Sequence, residues 1–311
     1  MMRPVAVIST SGLTMQFGSQ RALDSLDVEV PHGVTGLVGA NGAGKTTLMS
    51  IALGLRPHTS GTISVLGLDP HRDGAQLRSL VGYGPERNVL PEDMPASDFV
   101  KHLAEVRGMP RSEAKGRASD ALWLVGLGEE RFRALGTMST GQRQRVKLAQ
   151  AIAADPRLVL LDEPTDGLDP VQRDEMLTLI KQISAEYEID VMLSSHLLEE
   201  VERVCDHIVA LDAGTLVAQG PLEELVGDTE VIVVDLVEID DRPDSVTSVE
   251  SRLVRAGLHV DRRDSELRVT GSDRTATLDL IRDAVAAEEA RLRRVQVGRR
   301  TLEDLFTAVE S

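Results

Sequence analysis

Residues 39–47 read GANGAGKTT and place Gly39, Gly44, Lys45 and Thr46 in the spacing G-x-x-x-x-G-K-[ST]. Glycines let a backbone wrap closely around an anion, and the N–H groups of such a loop and of the helix after it point at that anion. Lys45 can reach the outer phosphates of a nucleoside triphosphate, and the Thr46 hydroxyl can ligate Mg²⁺. The loop residues Gly39, Asn41, Gly42, Ala43, Gly44, Lys45, Thr46 and Thr47 are therefore expected to hold phosphates. A second group lies in LVLLDEP (158–164), which sets Asp162 and Glu163 at the C-terminal end of an apolar run. Ligands of open α/β sheets bind at that end. Asp162 is placed to hold Mg²⁺, directly or through water, and Glu163 to polarise a water attacking the γ-phosphate. Neighbouring residues on a strand point to opposite faces, so only a strand end can bring both carboxylates to one ligand. Taken singly, these are a Gly-rich turn and two carboxylates capping a strand; together they favour the phosphate reading.

The elements around them fit. GLVG (36–39), LVLLD (158–162), DVMLSS (190–195) and HIVALD (207–212) are apolar runs of the buried parallel-strand type. VAVIS (5–9), LDVEV (26–30) and TISVL (62–66) make a strand-rich start. Helical patterns fall at about 45–54, 98–107, 112–125, 141–154, 171–187 and 197–204. Strands alternating with helices predict an α/β fold with a mainly parallel sheet. Residues 87–137 show helices and no strand, a helical insertion in which Trp123, between Leu122 and Leu124, is expected in the core. The pattern changes near residues 220–230. VIVVDLVEI, an acidic turn (240–244), a helix at 247–256, a strand at 266–270, a helix at 275–289 and a strand at 293–297 predict a small βαβαβ-like appendage. The expected division is 1–228 and 229–311.

Composition narrows the class. With 41% hydrophobic residues in 311, the chain can bury a sizeable core, and 2% aromatics make that core aliphatic. Cys205 is the single cysteine, which excludes an intrachain disulfide and a Cys-based zinc site. The start MMRPVAVIST shows no signal-peptide pattern, and no apolar run approaches the ~20 residues of a membrane span, so the protein is expected in the cytoplasm. Lys and Arg number 34 against 50 Asp and Glu, a net charge of −16 that disfavours nucleic acid and anionic lipid as partners. From residue 230 onward there are 13 Arg against 18 Asp and Glu, so the acidity is spread over both parts and marks no tail.

These residues together resemble the ATP-binding cassette (ABC) ATPases, the motor subunits of ABC transporters, over about residues 5–225. MSTGQRQRVKLAQAI (138–152) is similar to the family signature LSGGQ: Ser139, Gly141 and Gln142 match, while Met138 and Thr140 replace Leu and Gly. The resemblance implies that this helix start binds the γ-phosphate of ATP held by an opposite subunit, an anion at a helix N-terminus. The plainer reading is a Ser-capped amphipathic helix with an Arg/Lys face. Asp169 in TDGLDP matches the D-loop that crosses the dimer interface, and His196 in LSSHLLEE matches the switch histidine at the γ-phosphate. Phe17 in MQFGSQRAL stands where the family stacks an aromatic ring on adenine; a core role is its alternative. One position departs from the pattern. In VGYGPERNVL (81–90), Glu86 replaces the family's Q-loop glutamine, so a metal ligand there would be an anion beside Asp162 and Glu163. The alternative is a solvated loop residue.

The resemblance implies an α/β P-loop NTPase core with an antiparallel β subdomain, a helical insertion and a small C-terminal α+β domain. It implies ATP and Mg²⁺, a head-to-tail dimer with a second ATPase subunit, and a separate transmembrane permease docked on the helical insertion, with the protein peripheral on the cytoplasmic face of the membrane. The ending RRTLEDLFTAVES (299–311) is similar to that of ATPases paired with drug or polysaccharide exporter permeases, which favours export over import. A soluble ABC ATPase acting on nucleic acid or the ribosome is the less favoured reading.

Overall fold

The apolar runs pair side by side in one sheet. In the computed structural model, β4 (Val34–Val38), β6 (Val81–Gly84), β7 (Leu158–Asp162), β8 (Asp190–Ser195) and β9 (His207–Asp212) are parallel, and β10 (Thr215–Pro221) closes one edge antiparallel to β9. The order is β10-β9-β4-β8-β7-β6. Every residue of β4 and β7 is buried, which explains why neither run alternates with polar residues. The helices α1 (Lys45–Ala52), α2 (Gly74–Leu80), α5 (Thr140–Ile152), α6 (Pro170–Tyr187) and α7 (Leu198–Val204) connect these strands. The loops that leave β4, β8, β7 and β6 consequently lie next to one another at the C-terminal end of the sheet, and this adjacency assembles the site.

The described residues are 6–86, 90–237, 245–271 and 273–307. The chain divides into two compact units, Met1–Leu222 with Leu305–Ser311, and Glu223–Asp304. In the first unit, β1 (Ile8–Phe17), β2 (Gln20–Leu26), β3 (Glu29–Val30) and β5 (Ser60–Val65) form an antiparallel sheet in which β1 pairs with the other three. Ile8, Leu13 and Leu23 of that sheet share a core with Leu48 of α1 and with Leu37 and Leu160 of the parallel sheet. The helical insertion consists of α3 (Ala96–Val106), α4 (Arg111–Leu124) and two 3₁₀ turns, Glu129–Phe132 and Leu135–Thr137. Pro95 and Pro110 cap α3 and α4, and Asp98 and Glu113 sit in their first turns, where the helix dipole favours an anion. The start of the predicted insertion, 87–89, lies outside the described residues.

The α/β class and the helical insertion are as expected, and three details correct the sequence reading. Trp123 is not core: it is 67% exposed, with the Arg131 guanidinium 5.8 Å from its ring. Its Leu122 neighbour takes the buried position instead, and Trp123 falls on the outer side of the helix. Second, the Arg/Lys face expected of the amphipathic helix α5 is interrupted, since Lys147 is only 3% exposed. Third, the second unit is not βαβαβ. It runs β11 (Gly227–Val237), α9 (Ser245–Arg255), β12 (His259–Arg263), β13 (Glu266–Thr270), α10 (Arg274–Ala287) and β14 (Arg291–Arg300), an antiparallel sheet of order β12-β13-β11-β14. The added strand β12 is an edge strand of sequence HVDRR, mostly exposed, and so carries no apolar alternation to announce it. Ile232, Val234, Val249, Leu267 and Ile281 form this unit's own core. The short helices α8 (Leu222–Leu225) and α11 (Leu302–Thr307) complete the order. The acidic turn at 240–244 and the terminal residues 308–311 lie outside the described residues.

Candidate active site

The phosphate loop follows from the end of β4. Gly39, Gly42 and Gly44 have φ of 151°, 88° and 104°. At Gly44, which caps α1, a Cβ would also stand 2.7 Å from the Ala22 carbonyl oxygen, so only glycine fits. The first residue of α1, Lys45, is 6% exposed; its Nζ donates to the carbonyl oxygens of Gly39 at 2.6 Å and Ala40 at 3.4 Å. The ammonium is thus folded back across the loop, over the space its amides enclose. That space opens into a cleft of about 340 Å³ lined by Asn41, Gly42, Gly44, Lys45, Thr46, Thr47, Glu86 and Glu163, with Gln20, Ala22 and Ala40. Ala43 and Gly39 are buried and do not line the cleft; the Gly39 carbonyl accepts from Lys45 Nζ.

The carboxylates arrive from the neighbouring strand. Thr46 Oγ1 donates to Asp162 Oδ1 at 3.5 Å, which sets the hydroxyl and the carboxylate side by side at the end of β7. Ser194 on β8 locks the strand end: its Oγ donates to Asp162 Oδ1 at 2.6 Å and accepts from the Glu163 N–H at 2.9 Å. Glu163 has φ of 47°, a left-handed conformation that costs a non-glycine residue about 1–3 kcal/mol and persists only where its surroundings impose it. This turn solves the alternation problem: it swings Glu163 to the side of the sheet end that faces the loop. Glu163 Oε1 then lies 3.5 Å from Lys45 Nζ, and Oε2 lies 2.9 Å from His196 Nδ1. The carboxylate, 9% exposed, bridges the lysine of one loop and the histidine of another. Glu86, exposed at the end of β6, lines the same cleft. Burial first, and then the negative charges of Asp162 and Glu86, push the Tyr83 phenol up to about 12.

The remaining predicted residues do not enter this cleft. Ser139 caps α5, accepting from the Gln142 N–H at 3.2 Å, while Gln142 Oε1 accepts from the Ser139 N–H at 3.1 Å; Gly141 is buried in that first turn. This capping box orders a helix start and leaves its other amides without a side-chain partner among the described bonds. Asp169 caps α6 in the same manner, accepting from the Gln172 N–H at 2.9 Å. The two starts are held together, Gln144 Nε2 donating to the Asp166 carbonyl at 2.9 Å. Phe17, 41% exposed at the end of β1, is not core; Arg56 lies 5.5 Å from its ring, and its strand partner is Gln20 of the cleft wall. Sequence reasoning missed Ser194 and Gln20. Ser194 could have been suspected as the residue two before His196 on an adjoining strand, whereas Gln20 carries no signal in its own text.

Fold and site define a P-loop nucleoside triphosphatase. The similarities narrow that class. Residues 23–166 match the family described as ABC transporter. The bacitracin transport ATP-binding protein of Bacillus licheniformis is 34% identical over 220 residues, covering 70% of this chain and 71% of that one. A Nod factor export ATP-binding protein of Ralstonia nicotianae is 32% identical over 242 residues, 76% and 74% of the two chains. A methionine import ATP-binding protein of Mesorhizobium japonicum is 31% identical over 255 residues, 80% and 70%. Among solved structures, an ATP-binding subunit of an ABC transporter superposes with a TM-score of 0.63 at 28% identity, covering 70% of this chain and 91% of that one. The chain belongs to the ABC transporter ATP-binding family and is an ATP-binding, ATP-hydrolysing subunit of that kind. Among the described residues no helix is long and apolar enough to cross a membrane.

Proposed function

We propose that this chain hydrolyses ATP at the interface of a head-to-tail dimer and thereby drives a separate transmembrane permease in the direction of export. The carrying observation is the bridging of Glu163 between Lys45 and His196, at 3.5 and 2.9 Å, from a strained strand end. Phe17 stacks on the adenine, and Gly39, Asn41, Gly42, Ala43, Gly44, Thr46 and Thr47 surround the phosphates. Lys45 leaves its carbonyl partners for the outer phosphates, which offer a charge-assisted bond in exchange. Glu163, released from Lys45, is the general base that orients and deprotonates the attacking water. His196 holds the Glu163 carboxylate in place and faces the γ-phosphate.

Thr46 and Asp162, in contact at 3.5 Å, with Glu86 on the cleft wall, are oxygen donors of the kind that would hold a Mg²⁺ ion completing its shell with phosphates and water. Bound there, the ion would neutralise charge on the phosphates as it develops. The protein's part is to aim those three oxygens, through the Ser194 bond to Asp162 in particular.

Ser139, Gly141 and Gln142 lie outside the chain's own cleft, which supports their use on ATP held by a second subunit, with Asp169 at the seam. For the permease, a groove of about 420 Å³ lies between the helical insertion and the end of α1, lined by Leu53, Leu55, Tyr83, Val106, Arg78 and Arg107. Leu55 and Val106 are 61% and 68% exposed, and Tyr83 belongs to the strand leading to Glu86, so a segment seated there would sense the nucleotide site. The working unit is residues 1–228 with 229–311 as an accessory domain, held peripherally at the cytoplasmic face through the permease. Neither lipid nor nucleic acid recruits it, given a net charge of −16. Co-purification of the full chain with a co-expressed exporter-type permease, followed by ATP-driven substrate movement in vesicles, tests the reading. Outward movement supports it; inward movement replaces export by import, and stimulation by RNA or ribosomes with no permease bound would overturn it.

A further inference from the structure

A lysine that is 3% exposed is rare unless something holds its charge. Lys147 lies two turns into α5, the helix that begins at Ser139. Its Nζ donates to two successive backbone carbonyls, Pro85 at 2.8 Å and Glu86 at 2.9 Å. Burial pushes its pKa down to about 8, against the pull of Asp166, Asp162 and Glu86. The contact is the end of a longer seam. One turn further on, Gln150 Nε2 reaches the Tyr83 carbonyl at 3.4 Å, and at Gly82 a Cβ would stand 2.1 Å from the Ala151 carbonyl oxygen. Helix α5 therefore lies on β6 at backbone contact and follows it into the loop that carries Glu86. Among the described bonds of α5, those of Lys147 are the ones that reach that loop past the end of the strand.

We infer that Lys147 is a positioning residue: it straps the loop carrying Glu86 to the signature helix, so that the two ends of α5 report on two different nucleotides. This rests on the proposed reading in which Glu86 faces the chain's own ATP and Ser139 faces the ATP of a second subunit. A displacement of α5 when its first turn engages an anion would be carried to Glu86 by the two hydrogen bonds of the buried Lys147 ammonium and by the backbone seam at Gly82. A buried ammonium is costly, and an apolar residue of similar length would fill the same volume; the two carbonyls are what such a replacement would leave unpaired.

The test is a double-mutant cycle on the full chain, measuring Mg²⁺-dependent ATP turnover as kcat and KM separately. Lys147→Met is expected to lower kcat about tenfold with KM for ATP changed less than about twofold, because no ATP contact is lost. Lys147→Gln keeps an uncharged amide donor on a shorter side chain and is expected to fall between Lys147→Met and the parent. In a Glu86→Ala background, Lys147→Met is expected to lower kcat less than about twofold further, since the loop has nothing left to place. The same tenfold loss in both backgrounds would overturn the strap, as would a parallel loss of kcat, ATP affinity and melting temperature. If Lys147→Met does not fold, Lys147→Gln runs the same cycle. A Glu86→Ala chain with parental turnover and Mg²⁺ dependence would overturn the metal-facing reading of Glu86 itself, a failure visible in that single variant before Lys147 is touched.

Discussion

The cleft at the phosphate loop and the turn at Ser139 are both anion sites, and they are built in opposite ways. In the cleft three charges already have partners from another loop or strand: Lys45 with Glu163, Glu163 with His196, Asp162 with Thr46 and Ser194. At Ser139 there is only a capped helix start, ordered by its own box with Gln142 and tied to the segment before Asp169. The first is a machine at rest whose internal bonds ATP must replace. The second is half a site, with donors and no chemistry. The difference teaches that turnover belongs to neither region alone, and it can be attacked from both ends.

The largest effect is expected inside the cleft. Lys45→Ala removes the one buried ammonium aimed at the phosphates, and ATP affinity should fall by about 100-fold or more, read by titration with a fluorescent nucleotide. Unchanged binding would dissolve the distinction between the two regions. Ser139→Ala attacks the other side. It should lower kcat by roughly tenfold or more while each subunit's ATP affinity stays the same, at a cost of about 1 kcal/mol in stability for the lost cap. A loss of affinity instead would place Ser139 in the chain's own cleft.

What was legible in the sequence divides along the same line. The phosphate loop is a contiguous text whose glycines, lysine and threonine act through local backbone geometry, so spacing alone identifies it. Asp162 and Glu163 were legible as residues, but their convergence was not, because it depends on the left-handed turn at Glu163 and on Ser194 from another strand. Ser139 and Asp169 were read through family resemblance and turn out to be helix caps as well, a role any Ser or Asp could fill. Trp123, Lys147 and β12 were misread or missed for one reason: a helix or strand pattern says which residues share a face, not what covers that face. Leu122 took the interior and left Trp123 outside, whereas the backbone of the Pro85–Glu86 loop covered Lys147.

Smaller effects sharpen the comparison. Glu86→Gln removes an anion from the cleft while keeping an oxygen, and the Mg²⁺ concentration for half-maximal turnover should shift by a few-fold with kcat less affected. No shift would remove Glu86 from the cleft's working set. The smallest effect is expected at Trp123→Ala, on an exposed face far from either anion site in function. Stability measured by denaturant unfolding should move by no more than about 0.5 kcal/mol, with turnover of the isolated chain unchanged. Cys205, buried with its thiol pKa pushed up by that burial, should likewise resist alkylation until the chain is unfolded.

The most direct test of two half-sites completed by two chains is Glu163→Gln. The substitution keeps the shape of the site and removes the base, so ATP should bind and remain. Light scattering on a size-exclusion column should then give the mass of one chain without nucleotide and of two chains with Mg²⁺ and ATP, with turnover abolished. A single-chain mass in saturating ATP, or turnover at the parental rate, would contradict the account.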